Sequence, residues 1–280
     1  MYSTSPEPPL RGVDALVTTS GVRVTDAVLS QLSGKLVLTT TSGHDHIDRV
    51  AAARHGVTVA RCPLARRDAV VAWSLAEGIA GMRRLGALQR AAVEGRWARA
   101  ELPALAPVGL AGAHVAVVGM GVIGQRMAAA LEALGATVLP VDPRPIPGRR
   151  AVDLETALEA ADLVTLHCAL SATSRGLIGA AQLARLRPTA VVVNAARGDV
   201  LDLDAAVDAV RQGRLRGLAV DVFPVEPWTA LRDAAVPGIS FAPHAAGYTR
   251  DLGARVAAEV VDTLAAWAQG APLPHPVPPP

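Results

Sequence analysis

The stretch "HVAVVGMGVIGQRMAAALEALGATVLPVDP", residues 114–143, decides the fold, because it predicts a strand, a glycine-rich turn, a helix and a second strand. In the spacing Gly119-x-Gly121-x-x-Gly124, the first glycine makes the tight turn and the second lets backbone approach a pyrophosphate. The third lets the helix pack on the strand, so that N–H groups at the helix amino end meet the anion. The pattern predicts dinucleotide binding rather than a purely structural turn, with a flavin dinucleotide as the main competing ligand.

Asp142 ends the second strand of this stretch. A carboxylate at that point accepts hydrogen bonds from both hydroxyls of an adenosine ribose and repels a 2′-phosphate, which predicts NAD as the cofactor and makes NADP the less favoured one. Arg144, Arg149 and Arg150 follow closely and would tolerate a 2′-phosphate. NADP therefore remains the alternative.

The composition is that of an ordinary globular protein, with 51% hydrophobic and 19% charged residues, and a length of 280 residues favours two domains. The 27 basic residues are offset by 25 acidic ones and form no dense basic block. Nucleic-acid binding is therefore not predicted.

Targeting signals and cysteine use both favour the cytoplasm. Cys62 and Cys168 are too few for a disulfide framework, and the opening "MYSTSPEPPLRG" lacks the apolar stretch of a secretory signal. The longest low-charge stretch, "VGLAGAHVAVVGMGVIG", is crowded with glycines, which favours a strand and turn over a membrane span. We expect a cytoplasmic protein that does not enter a membrane.

Short apolar runs alternate with longer Ala/Leu/Arg segments of helical period along the whole chain. This rhythm predicts parallel sheets covered on both faces, hence an α/β protein. The predicted strands are "DALVTT", "KLVLTT", "GVTVA", "HVAVVG", "ATVLPVD", "DLVTLHC", "AVVVNA", "GLAVDV" and "ISFAPH".

A long helical stretch, roughly residues 67–95, joins the first three predicted strands to the later ones, which places a domain boundary near it. We predict a first domain over residues 1–90, completed by about 255–280. The second domain, residues 91–254, is predicted to be a Rossmann-type doubly wound parallel sheet. A last helix, about 249–268, precedes the proline-rich tail "PLPHPVPPP", which cannot hold a regular helix.

Polar residues follow three of the predicted strands. In an open doubly wound sheet, ligands lie outside the carboxyl ends of the strands, so polar side chains there are candidates for function. Arg197 follows the strand in "AVVVNAARGD", Glu226 the one in "GLAVDVFPVEP" and His244 the one in "ISFAPH". All three are expected to face one crevice.

These residue types suit hydride exchange at a hydroxyl-bearing carbon. The guanidinium of Arg197 clamps a carboxylate and polarises the neighbouring oxygen, and His244 removes or returns the hydroxyl proton. Glu226, hydrogen-bonded to the imidazole, fixes its tautomer and stabilises the imidazolium. The alternatives are a surface ion pair for Arg197, a solvated loop acid for Glu226 and a helix-capping group for His244.

The chain resembles the D-isomer-specific 2-hydroxyacid dehydrogenases over almost its whole length. The motifs are "TTTSGHDHIDRVAAARHGVTV", "GMGVIG", "LHCALSATSRGLI", "NAARGDVLD", "DVFPVEP" and "PHAAGYT". The resemblance implies that Arg197, Glu226 and His244 are the catalytic trio, and that an NAD-dependent enzyme interconverts a D-2-hydroxy acid and its 2-oxo acid. The cofactor-binding residues that it implies are Gly119, Gly121, Val122, Ile123, Gly124, Asp142, Cys168, Ala195, Asp221 and Gly247, with Val122 and Ile123 presenting backbone to the pyrophosphate and Asp221 meeting the nicotinamide amide.

The resemblance also implies substrate contacts in the first domain. The backbone at Ser42 and Gly43 is the family's usual cradle for the substrate carboxylate. Within the family, "PHAAGYT" and "TTTSGHDHID" look most like the erythronate-4-phosphate dehydrogenase branch, with the phosphoglycerate dehydrogenase branch next to it. The positions that match substrate contacts of the former branch are Ser20, Thr41 and Tyr248.

Arg66 and Arg67 are either contacts for a second anionic group on the substrate, such as a phosphate or phosphonate, or simply solvated side chains. His44-Asp45-His46 lacks the spacing and third ligand of a metal site, so no metal is predicted.

The family has another strand and helix before "DALVTT", so the resemblance implies an N-terminally trimmed, flavodoxin-like α/β substrate domain. An open sheet edge there would be covered by a partner subunit or by the tail. Trp97 falls where the family forms its subunit interface, which implies a homodimer, with simple packing as the alternative. The competing function is a non-catalytic NAD(H)-sensing protein of the same fold.

Overall fold

The computed structural model describes residues 10, 12–229 and 236–280. Its strands are β1 Ala15–Thr18, β2 Leu36–Thr39, β3 Thr58–Arg61, β4 His114–Val118, β5 Thr137–Val141, β6 Leu163–Leu166, β7 Val191–Asn194, β8 Gly217–Val220 and β9 Ile239–Phe241. Its helices are α1 Asp26–Leu29, α2 Arg49–Arg54, α3 Arg67–Met82, α4 Leu85–Val93, α5 Leu102–Leu105, α6 Val122–Ala133, α7 Leu154–Ala160, α8 Ala180–Leu183, α9 Leu203–Arg211 and α10 Leu252–Ala268.

Each predicted strand is confirmed, because every apolar run quoted above overlaps one strand of the structure. The helical stretch predicted over about 67–95 is confirmed as helical, but it is divided into two helices, α3 and α4. Arg84 between them adopts a left-handed backbone conformation, with φ of 58°, and this conformation cannot continue a right-handed helix. The last helix begins at Leu252 rather than near 249.

Residue contacts divide the chain into two compact units. The first unit contains the described residues up to Asp68 and those from Tyr248 onward, and the second is Ala69–Gly247. These limits differ from the predicted ones at 90/91 and 254/255. The reason for the first difference is that α3 packs on the sheet of the second unit: a Cβ added at Gly78 would lie 2.9 Å from Leu163, which belongs to β6.

The second unit is built on a six-stranded parallel sheet of order β5-β4-β6-β7-β8-β9. Alternate residues of its strands point to opposite faces. Val115 and Val117 pack in one core with residues of α3 and α6, whereas Ala116 and Val118 pack in another with residues of α7, α8 and α9. Helices therefore cover both faces, which confirms the Rossmann-type α/β prediction.

The strand order of this sheet reverses at β4, which has β5 on one side and β6 on the other. The chain leaves β4 and β6 toward opposite faces at such a point, and a crevice opens beyond their carboxyl ends. The glycine turn follows β4 there, and the segments after β6 to β9 leave the same edge of the sheet. The sheet topology thus fixes where a ligand site can form.

The first unit has a three-stranded parallel sheet of order β1-β2-β3 among its described residues. The edge of β3 is covered by the tail, because the N–H of Val277 donates to the carbonyl of Val59 at 2.8 Å and that of Arg61 to the carbonyl of His275 at 3.1 Å. The predicted trimmed start of the chain falls mainly on residues 1–9 and 11, outside the described residues. Within the described parts of both units, no helix is long and apolar enough to cross a membrane.

Candidate functional site

The glycine turn after β4 has the geometry that the sequence predicts. Gly119 has φ of 92°, a conformation that L side chains rarely adopt, and a Cβ there would lie 2.4 Å from the backbone nitrogen of Cys168. A Cβ at Gly124 would lie 1.9 Å from the carbonyl oxygen of Gly119, so α6 approaches the turn closely. Gly121 is the N-cap of α6, and a Cβ there would meet no atom within 4 Å. The amino end of α6 is therefore open to an anion, as the pyrophosphate of a dinucleotide requires.

Asp142 lies directly after β5 with only 5% of its side chain exposed. Its carboxylate accepts hydrogen bonds from the N–H of Met120 at 2.8 Å, from the N–H of Arg144 at 3.0 Å and from Arg144 Nε at 3.1 Å. Burial raises the pKa of Asp142, but the hydrogen bonds from Arg144 and Met120 outweigh this effect and hold the pKa below its usual value. The carboxylate is thus ionised and tied to the glycine turn.

The ion pair between Arg144 and Asp142 affects the choice between NAD and NADP. The hydroxyls of an adenosine ribose would bind the same carboxylate of Asp142 that Arg144 binds. We expect Arg144→Ala to weaken NADPH binding about tenfold, since Asp142 without its cation repels a 2′-phosphate, and to leave NADH binding equal or tighter. Fluorescence titration with both cofactors measures this change. Arg185→Ala, which removes an exposed arginine paired with Glu159, is the control, and equal effects of Arg144→Ala on both cofactors would contradict the prediction.

The segments after β6 and β7 supply two more of the predicted cofactor residues. Cys168 is partly buried, and burial raises the pKa of its thiol to about 11, so the group is a neutral thiol. Ala195 directly follows β7 and is partly buried. Both residues lie at the carboxyl ends of the strands, where the prediction places them. Gly247 is buried at the end of the second unit.

The structure brings His244 and Glu226 together. His244 Nδ1 lies 2.8 Å from Glu226 Oε2, although the residues follow different strands. Glu226 Oε1 accepts a hydrogen bond from the N–H of Phe223 at 3.0 Å. Burial raises the pKa of Glu226, but the hydrogen bond with His244, the N–H of Phe223 and the charges of His244 and Arg197 hold it below its usual value. The carboxylate is therefore ionised beside the imidazole.

Asp221 holds the loop that carries His244, a role that sequence analysis missed. The carboxylate of this buried residue accepts hydrogen bonds from the N–H of Ala245 at 2.6 Å and from that of Ala246 at 3.0 Å. Its carbonyl accepts one from the N–H of His244 at 2.7 Å. His244 adopts φ of 56°, a left-handed conformation that costs energy in most residues, and these hydrogen bonds fix it.

Arg197 lies just past β7, and its backbone is fixed by a residue that sequence analysis did not single out. Asn194 is buried, its Oδ1 accepts from the N–H of Ala196 at 3.0 Å, and its Nδ2 donates to the carbonyl of Arg197 at 3.0 Å. Because buried polar groups are costly unless they are hydrogen-bonded, this doubly bonded amide favours one loop conformation. The signal in the sequence is an asparagine at the end of an apolar strand.

Gly198 brings the loop of Arg197 against the loop that leads to Glu226. A Cβ at this position would lie 2.0 Å from the carbonyl carbon of Phe223 and 2.3 Å from the nitrogen of Pro224. No side chain fits at such distances, so the two loop backbones are in direct contact. Arg197, Glu226 and His244 thus follow three neighbouring strands, β7, β8 and β9, at one edge of the sheet.

In the first unit, the loop after β2 is held by arginines. Arg66 Nη1 donates to the carbonyl of Thr40 at 2.6 Å, and Arg61 Nη1 donates to that of Ser42 at 3.1 Å. Thr41 Oγ1 donates to the carbonyl of Gly43 at 2.8 Å. The carbonyls of Thr40, Ser42 and Gly43 therefore accept hydrogen bonds from side chains of the protein. The N–H groups of the loop are the groups that remain for a ligand acceptor.

The structure does not bring the remaining predicted substrate residues onto this loop. Ser20 is exposed after β1, Tyr248 is 71% exposed, and neither makes a hydrogen bond with the loop among the residues that the structure describes. Arg67 forms an ion pair with Asp68, with 3.0 Å between Nη2 and Oδ2. In the described part of the chain, no carboxylate lies within 4 Å of the guanidinium of Arg66. The charge of Arg67 is therefore neutralised by an ion pair, whereas that of Arg66 is not.

Burial of His167, which follows β6, predicts a loss of stability in acid. Its Nε2 lies 2.9 Å from Thr165 Oγ1, and burial lowers the pKa of the imidazole to about 4. Below about pH 6.5 the unfolded chain binds a proton that the native protein does not, so the free energy of unfolding falls from pH 6.5 to 4 by up to ~3 kcal/mol. We expect His167→Asn to flatten this fall in urea titrations, while His114→Asn, at an exposed position, keeps it. An unchanged pH dependence in His167→Asn would contradict the assignment.

The segment His44-Asp45-His46 lies in the loop after β2. Among the described residues, no group of three or more histidine, cysteine or acidic side chains is placed to hold a metal ion. Burial lowers the pKa of His44 to about 4, with the charges of Arg61 and Arg49 acting in the same direction. His44 is therefore a neutral group within the loop after β2.

A Rossmann-type sheet whose glycine turn opens onto a helix amino end, with an imidazole–carboxylate pair past the same edge of the sheet, defines the class of NAD-dependent oxidoreductases. The family comparison agrees. Residues 75–246 match the model of the D-isomer specific 2-hydroxyacid dehydrogenase NAD-binding domain. The chain belongs to the D-isomer-specific 2-hydroxyacid dehydrogenase family.

Similar proteins support this assignment. The chain is 32% identical to a glycerate dehydrogenase of Methylorubrum extorquens, over 85% of this chain and 77% of that one. It is 30% identical to a D-3-phosphoglycerate dehydrogenase of Synechocystis, over 90% of this chain but 46% of the relative, so it spans about half the length of that protein. A solved structure from Thermus thermophilus matches with a TM-score of 0.81 and 30% identity, over 96% of this chain and 87% of the other.

The named relatives are dehydrogenases, so the comparisons do not favour the NAD(H)-sensing alternative. Phosphoglycerate dehydrogenases are among them, in line with one of the two branches that the motifs resemble. The resemblance to the erythronate-4-phosphate branch stays a prediction.

Proposed function

We propose that this protein catalyses the NAD-dependent interconversion of a D-2-hydroxy acid and its 2-oxo acid. The observation that carries the proposal is the 2.8 Å contact between His244 Nδ1 and Glu226 Oε2, made by two residues at the carboxyl ends of neighbouring strands. A carboxylate on one imidazole nitrogen fixes the tautomer and leaves the other nitrogen to exchange a proton with the substrate.

His244 is the proposed proton carrier. In the oxidative direction, its Nε2 takes the proton of the substrate hydroxyl while the hydrogen on C2 leaves as hydride for the nicotinamide ring that a bound NAD would supply. The products would be a 2-oxo acid, NADH and an imidazolium. Glu226 stabilises that imidazolium through Nδ1. In the reductive direction the same imidazolium returns the proton to the oxygen.

Arg197 is the proposed clamp for the substrate carboxylate and the reacting oxygen. Its planar guanidinium offers paired donors that match a carboxylate and an adjacent oxygen, which lysine does not. Its charge reaches Glu226, where it helps to lower the pKa of that carboxyl. The charges of Arg197 and His244 therefore both act on the carboxylate of Glu226, within the second structural unit.

NAD supplies the hydride acceptor in oxidation, and NADH the donor in reduction. The open amino end of α6 and the ionised carboxylate of Asp142 fit the pyrophosphate and the adenosine ribose. Further proposed contacts with the cofactor are the backbone of Val122 and Ile123, and Cys168, Ala195, Asp221 and Gly247.

We propose that the loop after β2 holds the substrate carboxylate through the N–H groups of Ser42 and Gly43. The support is that these two N–H groups have no hydrogen-bond partner among the described residues, while the carbonyls of Ser42 and Gly43 accept from Arg61 and Thr41. Thr41, Ser20 and Tyr248 remain proposed substrate contacts. We propose that the first unit is the substrate domain and that the second unit, Ala69–Gly247, is the NAD-binding domain, in place of the predicted bounds 1–90 with about 255–280 and 91–254.

We further propose that the substrate carries a second anionic group, such as a phosphate or phosphonate, that Arg66 binds. Arg66 keeps an uncompensated charge beside the loop, whereas Arg67 is paired with Asp68. We expect Arg66→Gln to lower kcat/KM about tenfold for a phosphate-bearing 2-oxo acid and much less for an uncharged one of similar size. Arg67→Gln is the matched control, and equal losses in both variants would contradict the role of Arg66.

Turnover with a panel of 2-oxo acids tests the proposed activity. We expect NADH oxidation with at least one member, including phosphate- and phosphonate-bearing acids, and a strong loss of that activity in Glu226→Gln. Tight NADH binding without turnover of any panel member would instead support a sensor.

Three further proposals concern the location, the partner and the oligomeric state of the enzyme. The free state of Cys62 and Cys168 supports a cytoplasmic location, and the charge balance supports a small molecule rather than nucleic acid or a membrane as the partner. A homodimer is supported by apolar side chains that lie exposed after α3: Leu85 at 48%, Val93 at 78% and Trp97 at 88%. Sedimentation at micromolar concentration, with a molar mass of two chains expected, tests the dimer.

A further inference from the structure

A cavity of about 250 Å³ lies at the amino ends of β7, β8 and β9, within the second unit. Its wall contains three arginines, Arg84, Arg90 and Arg216, and one acid, Glu77. The proposed catalytic residues follow the carboxyl ends of the same strands. Residues 217–220 of β8 separate Arg216 from Asp221, which puts these two residues about 17 Å apart at ~3.3 Å per residue. The cavity is therefore distinct from the cofactor crevice.

The wall of this cavity carries more positive than negative charge, because it contains three guanidinium groups and one carboxylate, that of Glu77. Arg216 is only 9% exposed, and in the described part of the chain no carboxylate lies within 4 Å of its guanidinium or of that of Arg84. Burial lowers the pKa of Arg216, the charge of Arg84 lowers it further, and only the more distant Asp162 acts against them. Because a buried charge is costly without a counter-charge, such a pair of arginines favours an anion.

Backbone carbonyls hold the guanidinium groups of Arg216 and Arg84 in place beside the cavity. Arg216 Nη1 donates to the carbonyls of Ala106 at 2.6 Å and Met82 at 3.3 Å, and Arg84 Nη1 donates to the carbonyl of Arg216 at 3.3 Å. Arg84 Nε is buried and has no partner among the described residues. Arg84 is also the N-cap of α4, a helix of nine residues, and Gly86 in its first turn lines the cavity. The first N–H groups of that helix add to the donors for an anion.

The rest of the wall is apolar. Val191, Leu218 and Ile239, from the amino ends of the three strands, line the cavity. A free inorganic ion would leave this apolar surface uncovered, whereas a compact organic body would cover it.

We propose that this cavity, which we call the Arg84 cavity, binds a small organic anion. Its phosphate or carboxylate head lies against the guanidinium groups of Arg84 and Arg216, and its apolar body lies against Val191, Leu218 and Ile239. The site is separate from the proposed activity and does not depend on it.

Calorimetric titration of the NADH-saturated protein tests the Arg84 cavity. The probes are phenyl phosphate and benzoate, which carry the two alternative heads, and benzyl alcohol, which has no charge. Arg84→Asn removes the guanidinium and suits the φ of 58° at this position, because asparagine tolerates the left-handed conformation. Arg90→Gln removes the third charge, and Arg83→Gln, an exposed neighbour outside the cavity wall, is the matched control.

We expect at least one anionic probe to bind with a dissociation constant below about 1 mM, and the probe that binds identifies the head group. Arg84→Asn should weaken it about tenfold, Arg90→Gln severalfold, and Arg83→Gln not measurably. Binding at the proposed substrate residues would not respond to Arg84. No binding of either anion up to about 10 mM, equal binding of benzyl alcohol, or full binding by Arg84→Asn would overturn the proposal.

Discussion

Replacing His244 with asparagine is expected to lower kcat about a thousandfold while NADH binding stays within about twofold of the parent, because general acid–base catalysis contributes ~10²- to 10⁴-fold. Asparagine removes the proton carrier but tolerates the left-handed backbone conformation that His244 adopts, at φ of 56°. The loss of kcat should therefore result from the missing proton transfer and not from a rearranged loop. Stopped-flow measurement of NADH oxidation with the best 2-oxo acid of the panel determines it.

Two further variants show whether the loss of kcat is specific to the imidazole of His244. His114→Asn, at an exposed position at the start of β4, should keep full activity. Glu226→Gln should lose less than His244→Asn, since the amide still bonds to the imidazole but no longer stabilises its charge, and its kcat should respond differently to pH. A His244→Asn enzyme with parental kcat would remove His244 from the mechanism.

The second large effect is expected for Gly198→Ala. A methyl group here would overlap the backbone of Phe223 and Pro224, at 2.0 and 2.3 Å, so the loop that leads to Glu226 must move. We expect a loss of ~3 kcal/mol in the free energy of unfolding, at the upper end of overpacking effects, and a loss of kcat/KM of at least about tenfold. Urea denaturation and steady-state kinetics measure the two quantities.

Gly253→Ala is the matched control for this substitution. Gly253 lies in α10, and a Cβ there meets no atom within 4 Å, so alanine should leave activity unchanged and raise helix stability slightly. A Gly198→Ala protein as stable and active as the parent would show that the two loops are not held together at this contact.

The parts of the fold that the sequence predicts are those governed by local patterns. Apolar runs of strand length predict all the strands described, and the spacing of Gly119, Gly121 and Gly124 predicts the turn after β4. Arg197, Glu226 and His244 were predicted because the topology of a parallel sheet brings the carboxyl ends of β7, β8 and β9 to one edge.

The parts that the sequence did not predict depend on contacts between distant residues. The carboxylate of Asp221 bonds to Ala245 and Ala246, and no local pattern specifies that pairing. The break at Arg84 needs a left-handed residue, which glycine or asparagine signals and arginine does not. The first unit ends before α3 because α3 packs against β6. The helical periodicity of α3 does not show which sheet the helix packs against.

The configuration of the product is the most direct test of the central claim. With NADH that carries deuterium at the transferable position of the nicotinamide, the best 2-oxo acid of the panel should yield a 2-hydroxy acid of D configuration, deuterated at C2. Chiral chromatography with mass spectrometry reads both properties in one sample. An L product, a racemic product or a product without deuterium would contradict the account.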